Sequence, residues 1–184
     1  VEIVGIDGIT IRAETMGVEV NGVSGGTGVV NFQTSPDFAA DGGLIVETGP
    51  DLDGEGGDPA PSVLLDFTGS VIKAYGDVTL IIDNFVYVSG EFAFTKAGEP
   101  LEVTLSDGVT TKFVNVLTVG ADNVNAFVGT GDPDSNGDGK FNSSDNPASN
   151  GAIGLAINDL DFGLALMKPV ITTDSTSYYA LMAT

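Results

Sequence analysis

Apolar and polar residues alternate along most of this chain. Ile9 and Ile11 alternate with polar neighbours, and Val78, Leu80 and Ile82 repeat the same rhythm further on. The pattern returns at 91–95, 101–106, 113–119 and 155–166. Period-two alternation places every second side chain on one face of a β-strand. We therefore predict an all-β fold of mainly antiparallel strands, forming an elongated sheet, a sandwich or a solenoid-like repeat unit.

Turn-forming residues separate these runs. They lie at Asn21-Gly22, Ser89-Gly90, Asp107-Gly108 and Lys168-Pro169. Asp107-Gly108 stands between two alternating runs and predicts a β-hairpin with a type I′ turn, in which both central residues have positive φ. The 26 glycines and 8 prolines of the chain also suit many short strands better than long helices.

Residues 123–128 and 153–166 are the only segments that could compete as helices. Gly154, Gly163 and the alternation around them favour strands. The segments that begin at Gly8, Asp77 and Gly154 also share a rhythm of strand, polar or glycine corner, and second strand. This similarity is either common to all amphipathic hairpins or a sign of a sheet that is extended by repeated strand pairs.

Two loops interrupt the alternating pattern. Residues 49–61 are rich in proline, glycine and acid, and Asp51, Asp53, Glu55 and Asp58 make this loop a weaker candidate for a cation site. Residues 129–151 form a longer loop with a more regular arrangement of oxygen-bearing side chains. Long loops in a compact β domain commonly carry function or bind ions.

Residues 134–145 have the spacing of a calcium-binding loop, with oxygen-bearing residues at the first, third and fifth positions and Gly139 at the sixth. The predicted ligands are Asp134, Asn136, Asp138, Lys140 through its backbone carbonyl, Asn142 and Asp145. Calcium takes about 6–8 hard oxygen ligands, which alternate residues of a tight turn can supply together. A register that starts at Asp132 and a solvated acidic turn without metal are the alternatives.

The excess of acidic over basic residues also favours a bound cation. The 184 residues include 26 Asp and Glu but only 6 Lys and Arg, a formal net charge of −20. Such a surface repels nucleic acid and attracts divalent cations, which would relieve the repulsion between its own acids. We therefore expect no binding of nucleic acid. We also expect no membrane insertion, because the chain has no run of roughly 20 apolar residues.

Residue usage also argues against catalysis. The chain has neither cysteine nor histidine, which removes thiolate nucleophiles, disulfides and the commonest general base. Asp159 and Asp161 are spaced two residues apart, and we interpret them as a solvated face or a corner rather than a catalytic pair. We expect that the protein is not an enzyme.

Much of the chain resembles one repeat of very large secreted, calcium-binding, haemolysin-type and adhesin-like bacterial proteins. The resemblance rests on residues 4–11, 85–94, 116–129, 153–169 and 177–181, and it is weakest over 34–62. The calcium loop itself is similar to those of thrombospondin type 3 repeats and dockerins, although it lacks Cys and has Asn at the ninth position. The resemblance implies an extracellular or cell-surface location, a structural role and no catalytic residue.

We accordingly expect residues 1–184 to form one β repeat module. Both ends lie in apolar runs, so the Val1–Ile6 end of one unit should join the Tyr178–Met182 end of the next. The alternative is an adhesin domain that binds glycan or a host surface through its loops. Few aromatic residues fall in those loops, chiefly Phe38 and Phe141, which favours the structural role.

Overall fold

A computed structural model describes residues 2–3, 7–26, 28–50 and 60–184. Within these residues the strands are β1 (Glu2–Ile3), β2 (Ile9–Asn21), β3 (Leu44–Glu47), β4 (Ser62–Leu65), β5 (Val71–Ile82), β6 (Val86–Ala97), β7 (Leu101–Thr104), β8 (Thr111–Thr130), β9 (Ile153–Pro169) and β10 (Tyr178–Ala183). Two short 3-10 helices, Ala39–Asp41 and Pro147–Asn150, are the only helices of the described residues. The prediction of an all-β protein is confirmed.

Most strands belong to one sheet with the order β1-β2-β5-β6-β8-β9-β10, and β7 pairs with β8 beside this path. The pairs β1–β2, β6–β8, β7–β8, β8–β9 and β9–β10 are antiparallel. Strands β3 and β4 form a separate two-stranded antiparallel sheet. The segments 123–128 and 153–166, which we predicted as strands rather than helices, lie in β8 and β9.

The chain divides into two compact units. The first contains Val1–Glu19 and Lys73–Thr184, and the second contains Val20–Ile72. In the second unit the Asn21 side-chain amide donates to the carbonyls of Val30 and Gly69, both at 2.9 Å. Residues 51–59 of the predicted acidic loop, with Asp51, Asp53, Glu55 and Asp58, lie outside the described residues.

The long strands of the first unit are bent near their middle. Thr15 in β2, Asn123 in β8 and Asp159 in β9 all have positive φ, although none is glycine. The register of β8 against β9 shifts on both sides of Val124. Such β-bulges increase local twist and bend a strand. The segments from Gly8 and Gly154 are therefore single bent strands rather than hairpins.

Two predicted turns are wrong for related reasons. Ser89-Gly90 lies inside β6, at a register shift opposite β8. A Cβ on Gly90 would lie 2.9 Å from the Cα of Val124, so glycine here permits close packing of two strands rather than a turn. Lys168-Pro169 closes β9, because proline is tolerated at a strand end where no ladder donor is needed.

The hairpin that joins β7 to β8 is confirmed, but its predicted turn type is wrong. Gly108 has positive φ and Asp107 does not. Asp107 instead accepts hydrogen bonds from Thr110 and from the backbone N–H of Val109, and these bonds lower the pKa of its carboxyl. A turn with two positive φ angles occurs at Asp83 and Asn84, between β5 and β6, at the polar corner of the segment that begins at Asp77.

The buried core of the described residues centres on three aromatic rings. Tyr87 is 6% exposed, and Phe127 and Phe141 are each 1% exposed. The Phe127 ring centroid lies 6.2 Å from that of Tyr87 and 5.9 Å from that of Phe141. Ile81 and Ala152 pack around them. This cluster joins two strands of the sheet to the long loop that contains Phe141.

Replacing Phe127 with alanine should remove the centre of this cluster. We expect the free energy of unfolding, measured by urea denaturation, to fall by about 3–5 kcal/mol because a buried ring is replaced by a cavity. Val128→Ala is the matched control, since Val128 is the next residue of β8 and is 53% exposed. Equal losses in the two variants would contradict the placement of the core.

An ion pair connects the start of β8 to the segment after β9. The Lys112 Nζ lies 2.6 Å from Asp174 Oδ2. The hydrogen bond from Lys112, followed by those from Thr176, lowers the pKa of Asp174 from 3.8 to about 2. A carboxyl whose pKa is lower in the folded state stabilises that state above its unfolded pKa and loses this contribution as the pH falls through the folded value.

Asp174→Asn should therefore lower the melting temperature at neutral pH. The difference from the unmodified protein should shrink as the pH falls from 3.8 to about 2, where the native carboxyl becomes protonated as well. Thermal unfolding at several pH values measures this effect. Glu102→Gln, which removes one negative charge from exposed β7, is the matched control. A constant difference for Asp174→Asn across this range would refute the ion-pair explanation.

Candidate metal centre

The loop between β8 and β9 is attached to the sheet at several points. Phe141 inserts its ring into the aromatic core, and its carbonyl accepts a hydrogen bond from the Ser89 hydroxyl of β6. Beside it, Lys140 Nζ lies 3.2 Å from Asp77 Oδ2 of β5. The hydrogen bond to Asp77 raises the pKa of Lys140. The loop is therefore held by one apolar and two polar contacts.

Asp134 organises the first turn of the predicted calcium loop. One carboxylate oxygen accepts the backbone N–H of Gly137 at 2.7 Å and of Asp138 at 3.2 Å, and the other accepts that of Gly139 at 2.8 Å. Gly137 and Gly139 have φ values of 75° and 89°, which other residues adopt only with strain. These two glycines explain how the chain curls around one carboxylate.

The side chains at the third, fifth and ninth positions of the loop meet directly. Asp138 Oδ2 accepts the side-chain amide of Asn142 at 2.9 Å and that of Asn136 at 3.3 Å. The other Asp138 oxygen accepts the backbone N–H of Lys140 at 3.1 Å. Asn136 in turn accepts the Asp138 N–H at 2.9 Å. The structure thus brings together three of the predicted ligands.

Asp145 closes the loop. One of its oxygens accepts the backbone N–H of Ser135 at 2.8 Å and of Asn136 at 3.2 Å. The second oxygen accepts the N–H of Asn142 at 2.9 Å. Asp145 therefore bridges the beginning and the end of the predicted ligand segment.

Lys140 was predicted as a ligand through its carbonyl, and the structure records contacts only for its N–H and ammonium groups. Asp132, the start of the alternative register, accepts the backbone N–H of Asp134 at 3.1 Å. Burial raises the pKa of Tyr87, and the negative charges of Asp132 and Asp134 raise it further. The acidic end of the loop thus lies close enough to the aromatic core to affect it electrostatically.

Asp134 and Asp145 accept mainly backbone N–H groups, whereas Asp138 accepts two side-chain amides and one backbone N–H. Among the residues that the structure describes, no group of three or more Asp, Glu, His or Cys side chains is arranged to hold a metal ion. The donor chemistry nevertheless fits calcium, because Asp134, Asp138 and Asp145 each have an oxygen that accepts a single backbone bond and keeps a second lone pair. The two asparagine amides contribute neutral oxygens, and nitrogen or sulfur ligands are not needed.

Sequence reasoning missed several residues that shape this loop. The Ser135 hydroxyl accepts the N–H of Asn146 at 2.9 Å, and the Asn150 side-chain amide donates to the Asp134 carbonyl at 3.0 Å. Ser89 and Asp77 hold the loop from neighbouring strands. Ser and Asn near a turn are a general signal for such bonds, but partners on other strands have no signal in the local sequence.

Asp159 and Asp161 lie at the bend of the sheet. Asp161 accepts the backbone N–H of Asn123 at 2.9 Å, and the Asp159 N–H donates to the side chain of Asn125 at 3.3 Å. Asn125 is only 1% exposed and also donates to the Asn123 carbonyl at 2.8 Å. This network matches the corner interpretation of the acid pair.

Comparison of the chain with models of protein families, with curated proteins and with solved structures finds no match. Within the described part of the chain, no helix has the length and apolar character needed to cross a membrane.

Replacing Asp145 with alanine should loosen the loop even without metal. The variant loses the acceptor of three backbone N–H groups, and we expect the free energy of unfolding in excess chelator to fall by about 1–3 kcal/mol. Urea denaturation measures this loss. Asp132→Ala is the matched control, since Asp132 accepts one such bond. A loss no larger than that of the control would show that Asp145 does not organise the loop.

Proposed function

We propose that this protein is an extracellular structural repeat module of a bacterial surface or filament-forming protein, stabilised by Ca²⁺ and assembled end to end with further copies. The observation that carries the proposal is the position of the terminal strands. Strands β1 and β10 are the two opposite edges of one sheet. A module with a free edge at each side can add a neighbour at both sides, as a repeated structural unit requires.

The exposed side chains of β10 support this role. Tyr179, Leu181 and Met182 are 79%, 65% and 73% exposed. Edge strands of monomeric proteins are commonly protected by charges or proline, and residues 178–183 contain neither. An uncharged, apolar edge strand is suited to pairing with another strand.

Calcium would be held by Asp134, Asn136, Asp138, Asn142 and Asp145, with the carbonyl of Lys140. It would supply positive charge to a chain whose formal net charge is −20. Three ion pairs occur among the described residues, and they engage Glu19, Asp77 and Asp174. Because 6 basic residues cannot balance 26 acids, a bound cation would relieve repulsion that side chains alone leave in place.

The second candidate is an adhesin domain that binds glycan or a host surface through its loops. Its loop aromatics would need to be exposed. Phe141 is 1% exposed, and the Phe38 ring packs 5.8 Å from that of Phe32. These two contacts favour the structural role, and Phe85, in the turn between β5 and β6 and 55% exposed, is the loop aromatic that a ligand could reach. The resemblance to repeats of very large secreted proteins supports the extracellular location, where calcium is supplied by the medium.

Thermal unfolding with calcium and with excess chelator tests the calcium part of the proposal. Binding to the folded state alone should stabilise it by about 3–4 kcal/mol at 100–1,000 times the Kd. The double variant Asp134→Asn/Asp138→Asn should lose this increase. Asp122→Asn, which removes a negative charge from an exposed position in β8, should keep it.

Electron microscopy of the same samples tests the assembly. We expect fibres in calcium that shorten or disappear in chelator. An unchanged melting temperature in calcium would mean that residues 134–145 form an acidic turn without metal. Stable single modules that bind immobilised glycan would instead support the adhesin function.

A further inference from the structure

Each terminal strand covers only part of its neighbour. Strand β10 pairs with Phe162–Met167, the C-terminal half of β9, which begins at Ile153. Strand β1 pairs with Ile11 and Arg12, near the N-terminal end of β2. Among the described residues, no strand pairs with the outer edge of Met16–Glu19 in β2 or of Ile153–Leu160 in β9.

The directions of the strands relate these two vacant edges. The N–H of Asp83, just after β5, donates to the carbonyl of Gly8, just before β2. Lys73 near the start of β5 forms an ion pair with Glu19 near the end of β2. Strands β2 and β5 are therefore antiparallel. The short turn at Asp83 and Asn84 makes β5 and β6 antiparallel as well. Counting across the sheet, β2 and β9 run in the same direction, and β1 and β10 both run opposite to them.

We propose that β10 of one copy and β1 of the next copy share a single strand position between β9 and β2. This inference rests on the proposed end-to-end assembly and specifies its geometry. Strand β10 pairs antiparallel with the Met16–Glu19 edge of the next copy, and β1 of that copy lies against the Ile153–Leu160 edge of β9. The two short strands are collinear, run in the same direction and lie against opposite halves, so one junction places a strand against part of each vacant edge.

An apolar row supports the same junction. Leu181, Leu164, Val119 and Phe94 lie opposite one another in β10, β9, β8 and β6. Ser89 contacts the calcium loop, so by strand alternation Phe94 lies on the other face of the sheet. The whole row therefore lies on the face away from the loop.

The facing edge of β2 presents apolar side chains on the same face. A Cβ on Gly17 would meet the ring of Tyr75, so these two residues lie on the same face of the sheet. Tyr75 and Asp77 are two residues apart in β5 and also share a face, and Asp77 contacts Lys140 of the loop. Met16 and Val18 consequently point away from the loop, and they are 55% and 64% exposed. Docking of β10 would extend the apolar row from one copy into the next.

The arrangement is heterologous, because β10 contacts β2 and not another β10. Such a contact leaves a free edge on each side of every complex and does not stop at a dimer. Pairing of β10 with a second β10 would instead be symmetric and would end at two copies.

Engineered cysteines can report the junction without background, because the chain contains no Cys. Val18→Cys/Leu181→Cys places thiols on facing edges of the same sheet face, and neighbouring antiparallel residues lie about 4.5–5.5 Å apart, within disulfide range. Within one chain the two sites are five strands apart, roughly 24 Å, so a disulfide must join copies. Oxidation in calcium should produce a ladder of dimers, trimers and longer species on non-reducing gels.

Each measurement has a matched control. For the double variant, Val128→Cys/Leu181→Cys places a comparably accessible thiol on an interior strand, since Val128 is 53% exposed, and should give no ladder. A second measurement avoids disulfide geometry. Val18→Lys should raise the concentration needed for half-assembly by about tenfold in sedimentation, whereas Val128→Lys should leave it unchanged.

The outcomes separate this inference from the function on which it rests. If the unmodified chain assembles in calcium but neither the ladder nor the Val18→Lys effect appears, the shared strand position is wrong and end-to-end assembly remains. Dimers that stop at two copies, formed by Leu181→Cys alone, would indicate symmetric β10 pairing and also overturn the inference. If the unmodified chain stays monomeric at every concentration, the proposed assembly fails first.

Discussion

The insertion of Phe141 into the sheet is the contact on which the arrangement of the first unit depends. Residues 134–145 carry three carboxylates and would be repelled by an acidic surface, yet the ring in their midst is 1% exposed. Burial of one aromatic ring offsets that repulsion and fixes the loop against β6 and β8. The oxygen donors are therefore presented by a segment whose position is set by the hydrophobic core.

The bend of the sheet complements this contact. Thr15, Asn123 and Asp159 adopt positive φ in three long strands, and the buried amide of Asn125 donates to the carbonyl of Asn123 and accepts the N–H of Asp159 at this bend. On one side of the bend lie the aromatic core and the loop. On the other lies the apolar row that ends at Leu181. The bend thus separates the part proposed to bind a cation from the part proposed to join copies.

Charge and pairing have opposite effects in this protein. A formal net charge of −20 would oppose association of copies, whereas the uncharged strand β10 would offer backbone groups and apolar side chains for it. Calcium bound at the loop would reduce the repulsion without occupying the edges. Cation binding and end-to-end assembly would then be linked through electrostatics, although the loop and the edge strands are separate features of the fold.

The alternation of apolar residues determined the all-β class. The spacing of Asp134, Asn136 and Asp138 located the loop in which oxygen-bearing side chains cluster. Both are local properties, since strand periodicity and tight-turn spacing depend on neighbours in the chain. The burial of Phe141 and the continuation of β6 through Gly90 were decided by the tertiary structure. So were the positions of β1 and β10 at opposite edges. Strand order and close backbone packing arise from contacts between residues far apart in sequence, which local periodicity does not encode.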